Sequence, residues 1–127
     1  MNRLKVFNKA SLCRNFDDVV FKKLQDKTIA YPTYLSVGQE FVAATIAQIV
    51  EDRNVEPDIF IQHRGHSIYL AFGGDIYELI DEMLGKKTGC AKGMGGSASI
   101  QCKEKNISWF ASVWDKDSVD FMKHYKQ

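Results

Sequence analysis

Two histidines and an arginine stand together directly after the clearest strand signal in the chain. The segment is His63-Arg64-Gly65-His66, and it follows an apolar, β-branched run at residues 58–62. In open α/β folds, ligands bind at the carboxyl ends of strands. Arg64 is therefore placed to hold a phosphate or a carboxylate with its guanidinium group. The alternative is an arginine that only bonds a surface carbonyl.

The same histidines are candidates for a metal site, with Cys90 and Cys102 as more distant ligands. The spacing argues against zinc, because His63 and His66 are only three residues apart and the cysteines do not form a closely spaced pair. We therefore expect ordinary loop histidines and no metal ligands in this chain. Cys13 lies in a helical pattern and is expected to be a small packing residue.

A glycine-rich stretch occupies residues 86–99, and four of its glycines fall within eight residues. Loops of this kind present backbone N–H groups to phosphates. The stretch lacks the Gly-Lys-Ser/Thr ending of a Walker motif, and it follows a helix where a dinucleotide fingerprint follows a strand. Two interpretations stay open, a phosphate-binding loop and a flexible surface loop. In the absence of cofactor we expect weak protection from hydrogen exchange here.

Helices must position these segments. The spacing of apolar residues predicts them at residues 10–24, 41–50, 67–72, 75–84 and 118–125. Ser36 and Gln39 fit a capping box at the start of the second helix. Residues 41–50 are apolar almost all round, which predicts a helix buried on most sides. The run at residues 58–62 is the only convincing strand, whereas a parallel sheet needs several. These features indicate part of a larger α/β domain.

Composition narrows the classes of protein. The 127 residues are 45% hydrophobic and 26% charged, which is typical of one globular domain at most. A net charge of +1 offers no basic stripe for nucleic acid. No apolar run approaches the ~18 residues of a membrane span, and no signal peptide is recognisable. Three cysteines are too few for a disulfide scaffold, so we expect a cytoplasmic protein.

Three segments of the chain carry a specific pattern when they are taken together. They are Tyr34-Leu35-Ser36-Val37-Gly38-Gln39-Glu40, His63-Arg64-Gly65-His66 continuing to Gly73-Gly74-Asp75, and Gly85-Lys86-Lys87-Thr88-Gly89-Cys90-Ala91-Lys92-Gly93 with Gly95-Gly96-Ser97. In order and spacing they resemble the N-terminal part of the α subunit of thiamine-diphosphate-dependent 2-oxo acid dehydrogenases. That family includes the first components of the pyruvate, acetoin and branched-chain dehydrogenases. The resemblance covers residues 16–100 of a single partial domain, residues 1–127.

The resemblance implies an α/β fold, the N-terminal part of a doubly wound thiamine-diphosphate-binding domain that is helix-rich and has few strands. In this family, α and β subunits share the cofactor sites. The arginine near the cofactor's diphosphate corresponds to Arg64, with His63 beside it. The catalytic glutamate comes from the partner subunit, so the resemblance implies no catalytic residue here. The complete enzyme carries out oxidative decarboxylation of a 2-oxo acid and passes the acyl group to lipoamide.

The chain also departs from the family pattern. Tyr34 stands where members often have histidine, and Ala98-Ser99 stand where they have Met-His, so substrate contacts do not carry over. The Gly-Asp-Gly motif with its later asparagine, which holds Mg²⁺ and the diphosphate, is absent, and residues 108–127 diverge. We therefore expect a truncated α subunit that is inactive alone and forms homo- or hetero-oligomers with a β subunit. The alternatives are a non-catalytic module that docks a β subunit and a phosphate-binding protein built on the glycine-rich loop.

Overall fold

Helices dominate the structure, a computed structural model that describes residues 2–61, 63–109 and 116–122. In chain order the elements are α1 (Arg3–Gln25), α2 (Glu40–Arg53), β1 (Ile59–Ile61), α3 (His66–Ala71), α4 (Ile76–Met83), a 3₁₀ turn (Lys103–Lys105), β2 (Ile107–Trp109) and α5 (Lys116–Met122). All the predicted helices are present, although the predicted end of the last one lies outside the described residues. None of the helices described combines the length and apolar character needed to cross a membrane.

Helix α1 is longer than predicted, because Asn2 caps it. The Asn2 Oδ1 atom accepts hydrogen bonds from the backbone N–H groups of Leu4 and Lys5, at 3.0 and 3.2 Å. The predicted start at residue 10 is therefore wrong. Leu12 and Val19, which the pattern places on the apolar face, are 42% and 55% exposed. The apolar residues that α1 buries are Val6, Ala10, Cys13, Phe16 and Val20.

The predicted capping box at Ser36 is wrong. Helix α2 begins only at Glu40, and its cap position is Gln39, whose side chain makes no capping bond. The Glu40 carboxylate instead accepts the Gly38 N–H, at 3.0 Å from each oxygen. Arg14 Nε donates to Glu40 Oε1 at 2.6 Å, and this bond holds the pKa of the Glu40 carboxyl below its usual value. The turn before α2 is thus tied to α1 through Glu40.

Helix α2 is not buried on most sides in this chain, contrary to prediction. It packs on α1 and α3 through a narrow strip of small residues and one amide, namely Ala43, Ala44, Ala47 and Gln48. Its larger apolar side chains point away from that strip and are 37–62% exposed; they are Phe41, Val42, Ile46 and Ile49. We refer to these four residues as the α2 apolar face.

Strands β1 and β2 pair in parallel, with Ile59 opposite Ile107 and Ile61 opposite Trp109. The sequence predicted β1 but not β2, which is only three residues long. A parallel pair requires a crossover connection, and here α3, α4 and the glycine-rich loop provide it. The result is a helix-rich α/β arrangement with a two-stranded parallel sheet in the part of the chain that the structure describes.

The core lies between α1, α3, α4 and the sheet, and its largest fully buried apolar side chains are Tyr69, Leu79, Met83, Ile100 and Ile107. Gly65 lies at the edge of this core. A Cβ atom there would lie 2.8 Å from Ile61 Cδ1 and 2.9 Å from Ile100 Cδ1. Since real Cβ atoms do not approach this closely, a glycine at position 65 lets the chain turn from β1 into α3 against the core.

Candidate functional site

The predicted site residues His63 and Arg64 lie beyond the end of β1. They pack against the segment that joins α1 to α2, residues 26–39, which we call the connector. His63 has a left-handed backbone, with φ of 56°, and its ring meets the Tyr34 ring edge-on at 5.1 Å between centroids. Arg64 Nη1 donates to the Leu35 carbonyl oxygen at 2.5 Å. Both side chains are exposed. The structure therefore brings the two residues together on one accessible surface.

Arg64 also lines a cleft of about 280 Å³, together with Gln39, Val42, Ala43, Ser67 and Ile68. Among these lining residues Arg64 carries the only charge. A guanidinium has five N–H donors, so it can pair with an oxyanion while one donor stays on Leu35. A cleft of this volume can accept a diphosphate group. The residues present thus fit the diphosphate group.

The prediction that His66 is an ordinary loop histidine is wrong. His66 is a buried residue in the first turn of α3. Its Nδ1 atom lies 2.7 Å from Asp17 Oδ1, and its Nε2 atom lies 2.9 Å from Ser97 Oγ. A carboxylate only accepts hydrogen bonds, so Nδ1 carries the proton in this pair. Both ring nitrogens have hydrogen-bond partners, so neither is free to bind a metal ion.

Asp17 is the centre of a buried polar network that joins four segments. Its Oδ2 atom accepts the backbone N–H of Ser36 at 2.6 Å and the Ser36 hydroxyl at 2.8 Å. The Ser36 and Ser67 hydroxyls lie 2.7 Å apart. We call Asp17, Ser36, His66, Ser67 and Ser97 the Asp17 network; each member is at most 1% exposed. It connects α1, the connector, α3 and the glycine-rich loop.

Sequence reasoning missed the Asp17 network, although a signal was available. Asp17 lies within the amphipathic pattern of residues 10–24. It is four residues after Cys13 and three before Val20, a spacing that places all three on the same helical face. An acidic residue at such a position is buried, and it then needs polar partners.

Asp17, His66 and Ser97 have the connectivity of a Ser–His–Asp catalytic triad, but not its access. In such a triad the serine oxygen must reach a substrate carbonyl. Here Ser97 Oγ accepts the Tyr34 backbone N–H at 2.9 Å, and the residue is 1% exposed. The arrangement therefore positions the backbone of the connector; it does not present a nucleophile.

The glycine-rich loop turns its N–H groups inward, onto the Glu82 carboxylate. Glu82 accepts hydrogen bonds of 2.7–3.0 Å from four backbone N–H groups, those of Ala91, Gly93, Gly95 and Gly96. These four donors are not available to an external phosphate. The loop is a hydrogen-bonded element, which favours protection from hydrogen exchange over the weak protection expected from composition. The hypothesis of a phosphate-binding protein built on this loop loses its physical basis.

The cysteine thiols near the core are expected to react slowly. Burial raises the pKa of both Cys13 and Cys90 to about 11. At neutral pH this lowers the thiolate fraction about 100-fold relative to an ordinary cysteine. Alkylation by iodoacetamide at pH 7.5, followed by mass spectrometry, should label both residues slowly in the folded chain and rapidly in guanidinium chloride. Fast labelling of Cys90, which is only partly buried, would contradict its raised pKa.

Unlike the diphosphate, Mg²⁺ has no suitable set of ligands among the described residues. Across residues 2–61, 63–109 and 116–122, no three His, Cys, Asp or Glu side chains are grouped closely enough to hold a metal ion. The described residues therefore do not fit the metal.

Comparison with known proteins shows the family of this chain. The profile of the family described as "Dehydrogenase E1 component" matches residues 8–112. The chain is 30% identical over 104 residues to pyruvate dehydrogenase E1 component subunit alpha-1 of Arabidopsis thaliana, covering 82% of this chain and 26% of that protein. It is 31% identical over 104 residues to the alpha subunit of acetoin:2,6-dichlorophenolindophenol oxidoreductase of Bacillus subtilis, covering 82% and 30%.

A third relative is the pyruvate dehydrogenase E1 component subunit alpha of Schizosaccharomyces pombe, 36% identical over 70 residues that cover 55% of this chain and 16% of that protein. The chain spans about a quarter of the length of the Arabidopsis thaliana relative and less than a third of the length of the Bacillus subtilis relative. The matched region of the family profile contains the end of β1, most of the α1 helix, the glycine-rich loop and all five members of the Asp17 network. The chain therefore belongs to the dehydrogenase E1 component family.

Proposed function

We propose that this chain supplies part of the α-subunit side of a thiamine diphosphate site in a 2-oxo acid dehydrogenase first component. Arg64 holds diphosphate oxygens and His63 lies beside them. The observation that carries this proposal is the exposed Arg64 guanidinium, which lines a cleft beyond the end of β1 and is held there by the Leu35 carbonyl. Relatives named as pyruvate dehydrogenase and acetoin oxidoreductase alpha subunits support the reaction class.

When bound, thiamine diphosphate supplies the electron-accepting group that permits decarboxylation of a 2-oxo acid, with acyl transfer to lipoamide in the complete enzyme. This chain contributes binding and orientation. Arg64 neutralises diphosphate charge, and the edge-on pair of His63 and Tyr34 forms a wall beside it. The Asp17 network fixes the backbone at Tyr34 and Ser36 and so fixes the carbonyl of Leu35 between them. We propose that the rest of the doubly wound sheet and the Mg²⁺ ligands are supplied by parts of the complete enzyme outside this sequence.

One arginine gives weak affinity. A charge-assisted hydrogen bond contributes about 1.5–3 kcal/mol, whereas micromolar binding requires about 8 kcal/mol. We therefore expect this chain alone to bind thiamine diphosphate no more tightly than about millimolar, with or without magnesium.

Nuclear magnetic resonance of the ¹⁵N-labelled chain tests this expectation, because it detects millimolar binding and locates it. Thiamine diphosphate and inorganic pyrophosphate should both shift the signals of Arg64 and the connector at Tyr34 and Leu35, and thiamine without phosphate should not. Arg64→Ala should remove these shifts, and the exposed control Arg53→Ala should keep them. Shifts that persist in Arg64→Ala would contradict the proposal, as would micromolar, magnesium-dependent binding to the unmodified chain.

We further propose that the partner is a β subunit and that the α2 apolar face contributes to the contact. Exposed apolar patches on soluble proteins mark interfaces. Phe41, Val42, Ile46 and Ile49 form such a patch on one helix, beside the cleft that Arg64 lines. The alternative function, a docking module without a cofactor role, uses the same face. Capture of a β subunit by a chain whose NMR signals do not respond to pyrophosphate would favour this docking module.

In the isolated chain, this face should cause self-association and binding of a hydrophobic dye. Val42→Glu and Ile46→Glu, one helical turn apart on this face, should each reduce dye fluorescence and the mass measured by light scattering. Val55→Glu is the matched control, since Val55 is 53% exposed and lies outside the helix. A monomer that binds no dye, or equal effects of all three variants, would contradict an interface at α2.

A further inference from the structure

Glu82 is a buried carboxylate that has no ion-pair partner in the described part of the chain. It is 0% exposed and is the second-last residue of α4. The negative end of the helix dipole makes this position unfavourable for an anion. Burial of a carboxylate is also costly unless hydrogen bonds replace its hydration. The four N–H groups of the glycine-rich loop provide that replacement.

The loop is shaped around this side chain. Lys92, Gly93 and Gly96 have positive φ angles of 59°, 74° and 53°, which turn successive N–H groups toward one point. Gly89 lies so close that a Cβ atom there would be 2.5 Å from Glu82 Oε2 and 2.6 Å from Glu82 Cα. Such a concave arrangement of N–H groups normally receives a phosphate or another anion. Here an anion of the chain itself occupies it.

We propose that Glu82 is a positioning residue whose carboxylate occupies the anion site of the glycine-rich loop and holds the loop folded before any cofactor binds. Its Oε1 atom accepts from Gly95 and Gly96. The next residue, Ser97, contacts His66 Nε2 and accepts the Tyr34 N–H. Glu82 therefore acts on the segment that holds Arg64. This last link rests on the proposed function, but the occupation of the loop by Glu82 does not.

The proposal makes the negative charge and both oxygens of Glu82 essential. In Glu82→Gln, one oxygen becomes an NH₂ group that donates and cannot accept, so about half of the loop donors lose their partner. In Glu82→Ala the loop donors face an empty space of carboxylate size. The ligand class that fits this space is a small carboxylate, for which formate is the probe.

Hydrogen exchange of the native chain provides the first test. The N–H groups of Ala91, Gly93, Gly95 and Gly96 should exchange slowly compared with those of exposed Lys87 and Thr88 in the same loop. Glu82→Gln should accelerate their exchange by about 100-fold or more. The control Glu78→Gln, on an exposed residue one turn earlier in α4, should not. Unprotected amides in the native chain, or equal protection in Glu82→Gln, would overturn the proposal.

Rescue provides the second test. Sodium formate should raise the midpoint of thermal unfolding of Glu82→Ala and restore protection of the four amides, whereas sodium chloride at equal ionic strength should not. Equal effects of the two salts would overturn the proposal. If Glu82→Ala does not fold, exchange in the native chain and in Glu82→Gln decides.

The pyrophosphate titration separates this proposal from the proposed function. Glu82→Gln should weaken the response at Arg64 although Arg64 is intact, and an equal response would overturn the positioning role. If the native chain itself does not respond to pyrophosphate, the proposed function fails, while exchange and formate rescue still decide whether Glu82 holds the loop.

Discussion

Asp17→Ala should lower the free energy of unfolding by about 3–5 kcal/mol, because each buried donor left without its acceptor costs about 1–3 kcal/mol. The substitution leaves His66 Nδ1, the Ser36 N–H and the Ser36 hydroxyl without their acceptor in a region closed to water. Chemical denaturation followed by circular dichroism measures the loss.

The neighbouring Asp18→Ala is the control, because Asp18 is exposed on the same helix. Its effect should stay within about 0.5 kcal/mol, as for most surface substitutions. A change below about 1 kcal/mol in Asp17→Ala would show that the network contributes little to stability.

Gly93→Ala should lower the free energy of unfolding by about 2–5 kcal/mol. The left-handed backbone at Gly93, with φ of 74°, costs a residue with a Cβ atom about 1–2 kcal/mol. The new Cβ would also lie 2.5 Å from the Gly85 carbonyl carbon and oxygen and 2.7 Å from the Lys86 oxygen. Crowding of this kind adds about 1–3 kcal/mol, because backbone atoms cannot rotate away.

Gly85→Ala isolates the backbone contribution from the crowding. Gly85 also has a positive φ, 69°, but a Cβ atom there would meet nothing within 4 Å. Its cost should therefore be only the backbone part, about 1–2 kcal/mol. Thermal unfolding of both variants under identical conditions gives the comparison. Equal losses would mean that the loop does not approach the end of α4 as closely as the structure shows.

Local signals in the sequence predicted local structure well. Asp75 begins the helix predicted at residues 75–84, and its Oδ1 atom caps α4 by accepting the N–H groups of Tyr77 and Glu78 at 2.7 and 3.1 Å. The strand at Ile59–Ile61 was predicted from a short β-branched run. In each case the residues that decide the structure are neighbours in the chain. The assignment of Arg64 and His63 to a cofactor remains a prediction, although the structure places both on one accessible surface.

Polar residues whose partners are distant in sequence were assigned wrongly or missed. Ser36 matched a capping pattern by its neighbours, but Asp17 binds its hydroxyl from 19 residues away. His66 was expected in a loop, and Asp17 binds it from 49 residues away. Glu82 gave no signal at all, since its role depends on the loop that follows. The pattern of a single sequence shows which residues are polar, but it does not show which polar residues form contacts in the folded chain.

The hydrogen bond from the Tyr34 N–H to Ser97 spans 63 residues, half of the chain. Helical proteins usually fold fast, because most of their contacts are local. Here the contacts that complete the candidate site close long loops, and the entropy of closure must be overcome before those contacts form. The helices can therefore form early in folding, and during synthesis the site is completed only after residue 97 has left the ribosome. From this bond we expect the secondary structure to form first and the candidate site to be completed last.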